Sequence, residues 1–202
     1  MRALFFARHG ESEANVTHVF ANRGTGPGLT ELGRRQAREL GRGLASAQIT
    51  QIRTSPLARA RQTAEVIGDL LGLPCQPDEA LREYDVGILE GTVGPVQWHQ
   101  YAEMERAWLL GAEWDRRHPG GESYREIVAR FEPFLRRAAT HGTGTVLAVT
   151  HGGLLRMALP RLVAGIGPGF AHGASIPNCG VVEIVPADEA FSCRSWCGSR
   201  PP

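Results

Sequence analysis

Apolar residues recur along the chain in two patterns, one typical of buried strands and the other of amphipathic helices. Short apolar runs predict strands at residues 3–7, 48–53, 145–149, 181–185 and 191–196. Helical spacing of apolar residues predicts helices at residues 31–45, 55–71, 96–110, 124–139 and 152–164. Because strands alternate with helices, we expect an α/β fold with a mostly parallel central sheet.

Serine, proline and glycine residues predict where some of these elements begin and end. Ser55 followed by Pro56 is a strong helix start, with Ser55 as the N-cap, and Gly72 is the expected stop of that helix. Pro133 lies inside a helical pattern, so we expect a kink or a split there.

The remaining segments are expected to be loops within one folded unit. Residues 8–28 are rich in Gly, Asn and His and are expected to hold one helical turn at most, and residues 74–95 are rich in Gly and Pro. The length predicts a single domain over residues 1–198 with a short tail at 199–202.

The composition excludes several kinds of chemistry. The 202 residues include no lysine, and all 22 basic side chains are arginine against 21 carboxylates. Schiff-base enzymes, pyridoxal phosphate enzymes and Walker-type nucleotide loops each need a lysine amine and are therefore excluded. The formal charge of +1 argues against a nucleic-acid partner. No apolar stretch approaches about 18 residues, so we expect no membrane span and a cytoplasmic location.

The four cysteines form no pattern typical of a zinc site. Cys193 and Cys197 lie four positions apart, which leaves a disulfide or a half-built metal site open. We expect reduced structural thiols.

Polar side chains follow three of the predicted strands. In open α/β sheets ligands bind beyond the carboxyl ends of strands, so these side chains should converge on one crevice. Helix N-termini at Ser55 and Gly152 would point there and add free amides. Such a crevice suits a dianion, above all a phosphoryl group, because the planar arginine fork holds two oxygens at once. The residues at these strand ends are Arg8, His9, Gly10, Glu11, Ser55, Arg59, His151 and Gly152.

Six short motifs occur in a fixed order along most of the chain. They are RHGE at 8–11, GLTELG at 28–33, SPLARARQTA at 55–64, LREYDVGILEG at 81–91, GGES at 120–123 and HGGLLR at 151–156. Together they resemble the motifs of the histidine phosphatase superfamily, which includes the phosphoglycerate mutases. The second motif departs from the family pattern, since Gly28 stands where a proline is usual. The resemblance implies a three-layer α/β/α sandwich of the phosphoglycerate mutase type.

The resemblance also implies catalytic roles for five residues. His9 would be the nucleophile that forms a phosphohistidine, and Glu83 would act as general acid on the leaving group and then as base on water. Arg8, Arg59 and His151 would hold the phosphoryl oxygens, with His151 as an imidazolium because phosphate favours the charged form.

Four further residues are candidates for substrate binding by the same resemblance. Asn15 and the amide of Gly152 would be additional donors. Asn22 and Arg23 lie in a loop that approaches the substrate in this family, although the sequence departs from the commoner pattern there. No metal and no cofactor are expected, since arginines take the place of a cation.

Two other groups are candidates for the rim or wall of the pocket. Residues 116–118 (RRH) could line the rim, although a charge cluster is more typical of a solvated face. Trp98, Trp108 and Trp114 could form a specificity wall, although core packing is the expected use of at least two of them.

The spacing of the motifs favours a phosphatase. Mutases of the family usually carry a longer insertion after the general acid, whereas 36 residues separate Glu83 from Gly120 here. We therefore expect a phosphomonoesterase acting on a small phosphorylated metabolite. Phosphoglycerate mutase-type transfer is the first alternative, and a non-catalytic phosphoester-binding protein is the second. The identity of the phosphoester stays open. Apolar residues near the last strand are compatible with a homodimer, which nothing in the sequence requires.

Overall fold

One six-stranded sheet organises the fold. The computed structural model describes residues 3–140, 144–187 and 190–201. The strands are β1 (Leu4–Arg8), β2 (Ile49–Thr54), β3 (Cys75–Pro77), β4 (Thr145–Thr150), β5 (Val181–Ala187) and β6 (Ala190–Trp196). They lie in the order β3-β2-β4-β1-β5-β6. The first four are mutually parallel, whereas β5 runs antiparallel to β1 and β6 runs antiparallel to β5. The predicted mostly parallel sheet is confirmed.

Seven α-helices connect and cover these strands within the described ranges. They are α1 (Glu13–Thr17), α2 (Glu31–Gly43), α3 (Ala58–Leu71), α4 (Pro95–Leu109), α5 (Tyr124–Thr140), α6 (Gly152–Leu162) and α7 (Pro168–Gly173). The five predicted helices correspond to α2 to α6. The sequence did not predict α7 or β3, because each is short and contains glycine or proline.

The predicted N-cap of α3 lies two residues before the observed one. The helix begins at Ala58, and Leu57 is its N-cap, without a side-chain hydrogen bond. The buried Ser55 hydroxyl instead accepts a hydrogen bond from the Leu57 amide at 3.2 Å and lies 2.8 Å from Nε2 of His151. The predicted stop is confirmed, because Gly72 has the left-handed φ of 68° that glycine tolerates.

Helix α5 continues through Pro133 from Tyr124 to Thr140. Of the predicted kink or split, the split is therefore wrong, and the kink stays a prediction. The proline removes one backbone donor from the helix. Phe131 and Phe134 are nevertheless buried on either side of it. Burial of apolar side chains on this scale outweighs the loss of one hydrogen bond.

Side chains of the sheet alternate between two cores. Leu4 and Phe6 of β1 belong to a core that they share with α4, α5 and α6. Ala7 of the same strand belongs to a second core, which it shares with α3. This alternation is the period of a strand that is covered on both faces. The predicted three-layer α/β/α sandwich is confirmed.

The C-terminal residues are hydrogen-bonded to β6, the last strand of the sheet. The Trp196 amide donates to the Ser199 carbonyl at 2.7 Å, and Pro201 is buried. Pro202, the last residue of the predicted tail, lies outside the described residues. All four cysteines are free thiols in the structure. No helix within the described residues is long and apolar enough to cross a membrane.

Candidate active site

Three parallel strands end at one edge of the sheet, beside a cavity of about 240 Å³. Arg8, the last residue of β1, pairs with Thr150 at the end of β4, and Thr54 at the end of β2 pairs with Val149. The structure thus brings seven of the nine predicted site residues to one cavity. They are Arg8, His9, Asn15, Asn22, Arg59, Glu83 and Gly152.

His9 follows β1 directly and is almost fully buried. Its Nδ1 lies 2.7 Å from the Gly10 carbonyl oxygen, so Nδ1 carries the proton and donates it. Nε2 then has a lone pair, and it accepts a hydrogen bond from Nε of Arg59 at 3.1 Å. Burial, reinforced by the positive charges of Arg59 and Arg8, holds the pKa of His9 well below its usual value. The ring is therefore a neutral imidazole with a nucleophilic Nε2.

Arg59 lies in the first turn of α3 and is also buried. Besides the contact with His9, its Nη1 donates to the Ala21 carbonyl at 2.6 Å and its Nη2 donates to Oδ1 of Asn22 at 3.1 Å. Burial lowers the pKa of Arg59 to about 10, so the guanidinium stays charged at neutral pH. Nδ2 of Asn22 donates to the Tyr84 carbonyl at 2.9 Å. Asn22 therefore positions Arg59 with the oxygen of its side chain.

Glu83 follows a short 3₁₀ helix at Glu79–Leu81 and faces the same cavity. Its Oε1 accepts a hydrogen bond from the Tyr84 amide at 3.1 Å, and its Oε2 accepts one from the Gly153 amide at 3.0 Å. Burial raises the pKa of Glu83, although Arg59 and these amides oppose the shift. A Cβ on Gly153 would lie 2.8 Å from both carboxylate oxygens, so this close approach requires glycine.

The three other predicted residues at the cavity are held by neighbouring backbone and amide groups. Nη1 of Arg8 donates to the Ile176 carbonyl at 2.7 Å. Oδ1 of Asn15 accepts from Nδ2 of Asn178 at 3.2 Å, which leaves the Asn15 amide nitrogen as the group to donate into the cavity. Gly152 is the first residue of α6, and a Cβ there would lie 3.3 Å from Cδ of Arg8.

His151 lies behind the cavity and is fully buried. Its ring meets the His9 ring edge-on at 5.1 Å between centroids. Its Nε2 forms a hydrogen bond of 2.8 Å with Oγ of Ser55. Nδ1 has no hydrogen-bond partner among the described residues. Burial and the neighbouring cation of Arg59 hold the pKa of His151 well below its usual value. The protein itself therefore disfavours the predicted imidazolium, which would depend on the charge of a bound anion.

The structure does not bring Arg23 to the cavity. Its half-exposed guanidinium pairs with Asp85 at 2.9 Å and donates to the Gly120 carbonyl at 2.8 Å. Arg116 and Arg117 also form exposed ion pairs outside the cavity, as expected for a solvated face. The predicted contact of Arg23 with substrate has no support in this geometry.

Aromatic rings form part of the lining of the cavity. We call Phe20, Trp98 and Tyr101 the aromatic wall, since all three line the cavity and contact one another. Trp108 is buried in the core, and Trp114 packs against the core and the Arg161 guanidinium. Core packing of two of the three tryptophans is therefore confirmed. Phe20 and Tyr101 carried no signal in the sequence.

Arg156 also lines the cavity, although the sequence assigned it no role beyond its place in a motif. Its Nη2 lies 3.1 Å from Oε2 of Glu105, whose side chain is 5% exposed. Oε1 of Glu105 accepts a further hydrogen bond from the Tyr84 hydroxyl at 3.2 Å. Within the described ranges no group of three or more His, Cys, Asp or Glu side chains could hold a metal ion.

Curated relatives match the chain over nearly its whole length. A protein of Salmonella choleraesuis named "Probable phosphoglycerate mutase GpmB" is 30% identical over 200 residues, which cover 97% of this chain and 90% of the relative. Solved structures of similar fold include two phosphatases. A mycobacterial glucosyl-3-phosphoglycerate phosphatase in complex with VO₃ has a TM-score of 0.81 and 27% identity, covering 98% of this chain and all of the other. The α-ribazole phosphatase of Shigella flexneri has a TM-score of 0.77 and 25% identity, covering 98% of this chain and 96% of the other.

The family model of the histidine phosphatase superfamily (branch 1) matches residues 4–198. This match and the two phosphatases of similar fold support an enzyme that transfers or hydrolyses phosphoryl groups. The chain belongs to the histidine phosphatase superfamily, branch 1.

Proposed function

We propose that the protein is a phosphomonoesterase that hydrolyses a small phosphorylated metabolite through a phosphohistidine on His9. The observation that carries the proposal is the fixed neutral imidazole of His9, with Nδ1–H held by the Gly10 carbonyl and Nε2 held by Arg59. An imidazole in this tautomer presents a lone pair to phosphorus without first losing a proton. The phosphatases of similar fold support hydrolysis as the outcome.

In the first step Nε2 of His9 attacks phosphorus in line, and the bond from phosphorus to the alcohol oxygen breaks. Arg59 turns its Nε donor from the imidazole to a phosphoryl oxygen, and Arg8 supplies a second positive charge at the same end of the cavity. Two preorganised guanidinium groups offset the charge of the transferring group, which is the main demand of phosphoryl transfer. The proposed reaction therefore uses no metal ion and no cofactor.

Glu83 handles the protons of both steps. Its raised pKa keeps the carboxyl protonated at a pH where an ordinary glutamate is ionised, so it can donate a proton to the departing alcohol oxygen. The carboxylate that remains then takes a proton from the water that attacks the phosphohistidine. This second step releases phosphate and restores both His9 and Glu83.

A screen of phosphomonoesters followed by the His9→Ala variant tests the proposal. With a ³²P-labelled substrate, rapid acid and alkaline quenching should trap an acid-labile, alkali-stable phosphoenzyme in the wild type and none in His9→Ala. We expect kcat/KM of the variant to fall by at least about 10³-fold, because no other histidine among the described residues lines the cavity. His99→Ala is the matched control, since His99 is an exposed histidine paired with Glu103 on α4. Undiminished turnover by His9→Ala would overturn the proposal.

Phosphoglycerate mutase-type transfer is a second candidate, favoured by the name of the relative at 30% identity. In that reaction the phosphoryl group returns from His9 to the substrate rather than to water. Incubation with 3-phosphoglycerate and 2,3-bisphosphoglycerate separates the two reactions. Rapid exchange of isomers without release of phosphate would favour the mutase, whereas release without exchange would favour the phosphatase.

A further inference from the structure

The aromatic wall gives the cavity an apolar surface. In the aromatic wall the Phe20 and Trp98 rings lie 4.3 Å apart between centroids, and Trp98 meets Tyr101 edge-on at 5.4 Å. The indole Nε1 of Trp98 donates to the His18 carbonyl at 3.0 Å, so its one polar atom is occupied. The Trp98 side chain is nevertheless 39% exposed and therefore keeps an accessible surface at the cavity.

The positive charge of Arg156, which also lines the cavity, is already neutralised by a carboxylate. Arg156 forms an ion pair with the buried Glu105 at 3.1 Å. Its Nε donates to the Ala171 carbonyl at 3.2 Å, and its Nη2 donates to the His172 carbonyl at 3.4 Å. Among the described residues that line the cavity, only Arg8 and Arg59 are arginines without a carboxylate within ion-pair distance.

The positive charges of the cavity therefore balance one phosphate dianion and no second anionic group. Two guanidinium charges balance a phosphate dianion while Glu83 is protonated. A carboxylate or second phosphate on the alcohol part would lose its hydration beside aromatic rings. Once Arg8 and Arg59 hold the first phosphate, no unpaired cation is left among the described residues that line the cavity. A neutral flat group would instead replace water on the Trp98 surface, which is favourable.

We propose that the substrate is a monoester of an uncharged alcohol that carries a flat apolar ring, which packs against Trp98. Hydrolysis of this ester rests on the proposed phosphomonoesterase activity, whereas binding of the ester does not. The aromatic wall supplies the selectivity for the ring, and the Glu105–Arg156 pair supplies the selectivity against a second anionic group.

A matched pair of substrates tests the charge part of the proposal. Glycerol 3-phosphate and 3-phosphoglycerate differ chiefly in that a carboxylate replaces a hydroxymethyl group. We expect kcat/KM of the wild type to be at least about tenfold higher for glycerol 3-phosphate. Glu105→Gln keeps an oxygen for the Tyr84 hydroxyl but removes the charge opposite Arg156, so this preference should shrink by about tenfold. An unchanged preference in a folded Glu105→Gln protein, or a wild-type preference for 3-phosphoglycerate, would overturn this part.

The Trp98→Ala variant tests the ring part, because it removes a side chain that is partly exposed at the cavity. We expect KM for 2-naphthyl phosphate to rise about tenfold, whereas KM for glycerol 3-phosphate, which has no ring to pack, should rise by a much smaller factor. Trp98→Phe should restore most of the affinity, because it keeps a flat ring. Val96→Ala is the matched control, since Val96 is an exposed apolar residue on the same helix. Equal losses on both substrates in Trp98→Ala would overturn the ring contact.

Calorimetric titration of His9→Ala separates binding from hydrolysis. We expect this variant to bind 2-naphthyl phosphate more tightly than 3-phosphoglycerate, by at least about tenfold, even if the wild type hydrolyses neither. That result would leave the binding preference standing while the phosphomonoesterase proposal fails. Tighter binding of 3-phosphoglycerate would overturn the preference whatever the wild type hydrolyses. His9→Asn serves as a second variant if His9→Ala does not give a cooperative melting curve.

Discussion

The two walls of the cavity are held in place by different interactions. The first wall, which we call the strand-end wall, consists of His9, Arg59 and Glu83. All three side chains are buried, and protein hydrogen bonds of 2.6 to 3.1 Å fix each of them. On the aromatic wall Trp98 is partly exposed and is held by ring contacts and one hydrogen bond to the His18 carbonyl. The first wall has directional polar contacts, and the second has mainly apolar surface.

This difference separates catalysis from selectivity. Burial gives the first wall its shifted pKa values, since it keeps His9 neutral and raises the pKa of Glu83. Substitutions in this wall disturb groups that are hydrogen-bonded to one another and should lower kcat/KM by large factors. Trp98 on α4 touches none of these catalytic groups through a hydrogen bond in the described structure, so changes there should alter which ester binds.

The largest expected effect is that of Arg59→Lys. Lysine keeps the charge, but a single ammonium on a flexible stem cannot make the three contacts of the guanidinium with His9, Ala21 and Asn22. We expect kcat/KM to fall by about 10³-fold, which corresponds to about 4 kcal/mol of transition-state stabilisation.

Arg61→Lys is the matched control for this change. Arg61 lies two positions further along α3, is half-exposed and pairs with Glu65 at 3.4 Å. Its replacement should leave kcat/KM unchanged. Wild-type rates from Arg59→Lys would show that the strand-end wall needs only positive charge, and the contrast between the two walls would then be lost.

The next effect concerns Glu83→Gln and the pH dependence of turnover. The free enzyme needs a protonated Glu83 and a neutral His9. Since the pKa of Glu83 is raised and that of His9 is held well below its usual value, activity should persist into the acid range and fall as pH rises through the pKa of Glu83. We expect Glu83→Gln to lower kcat/KM by about 10²-fold and to remove the alkaline fall.

Profiles of kcat/KM for both proteins on the same aryl phosphate provide the measurement, because ionisation of the substrate is then common to them. Glu79→Gln is the control, since Glu79 lies four positions before Glu83 and is an exposed carboxylate paired with Arg82. A Glu83→Gln protein that keeps both the rate and the alkaline fall of the wild type would remove Glu83 from the proton transfers.

The sequence predicted that His9 and Arg59 lie together because a topological rule covers them, whereas Glu83 was predicted from the family resemblance. Residues that follow parallel strands meet at one edge of the sheet, whatever the loops between them do. His9 and Arg59 could therefore be placed together although 50 positions separate them. The same rule does not fix hydrogen bonds, so Ser55 was predicted as a helix cap although its hydroxyl contacts the His151 ring.

The aromatic wall could not be predicted in the same way. Phe20 lies in a loop and Tyr101 on α4, and their contact depends on how α4 packs over the cavity. The pairing of Arg156 with Glu105, 51 positions apart, depends on the packing of α6 against the same helix. Helical periodicity shows which residues of a helix are apolar, but it does not specify the neighbouring element.

The smallest expected effect is that of Arg23→Ala, and it tests whether two walls are enough. The family resemblance suggests that Arg23 approaches the substrate, whereas the structure pairs its half-exposed guanidinium with Asp85 and the Gly120 carbonyl outside the cavity. An exposed ion pair of this kind contributes little, so kcat/KM for glycerol 3-phosphate should stay within about twofold of the wild type. Asp85→Asn breaks the same ion pair from the other side and should behave alike.

If Arg23→Ala alone raised KM about tenfold, the guanidinium would have to leave Asp85 and reach the bound ester. The loop between Asn22 and Gly28 would then close over the substrate as a third wall, and selectivity would no longer lie with the aromatic rings alone.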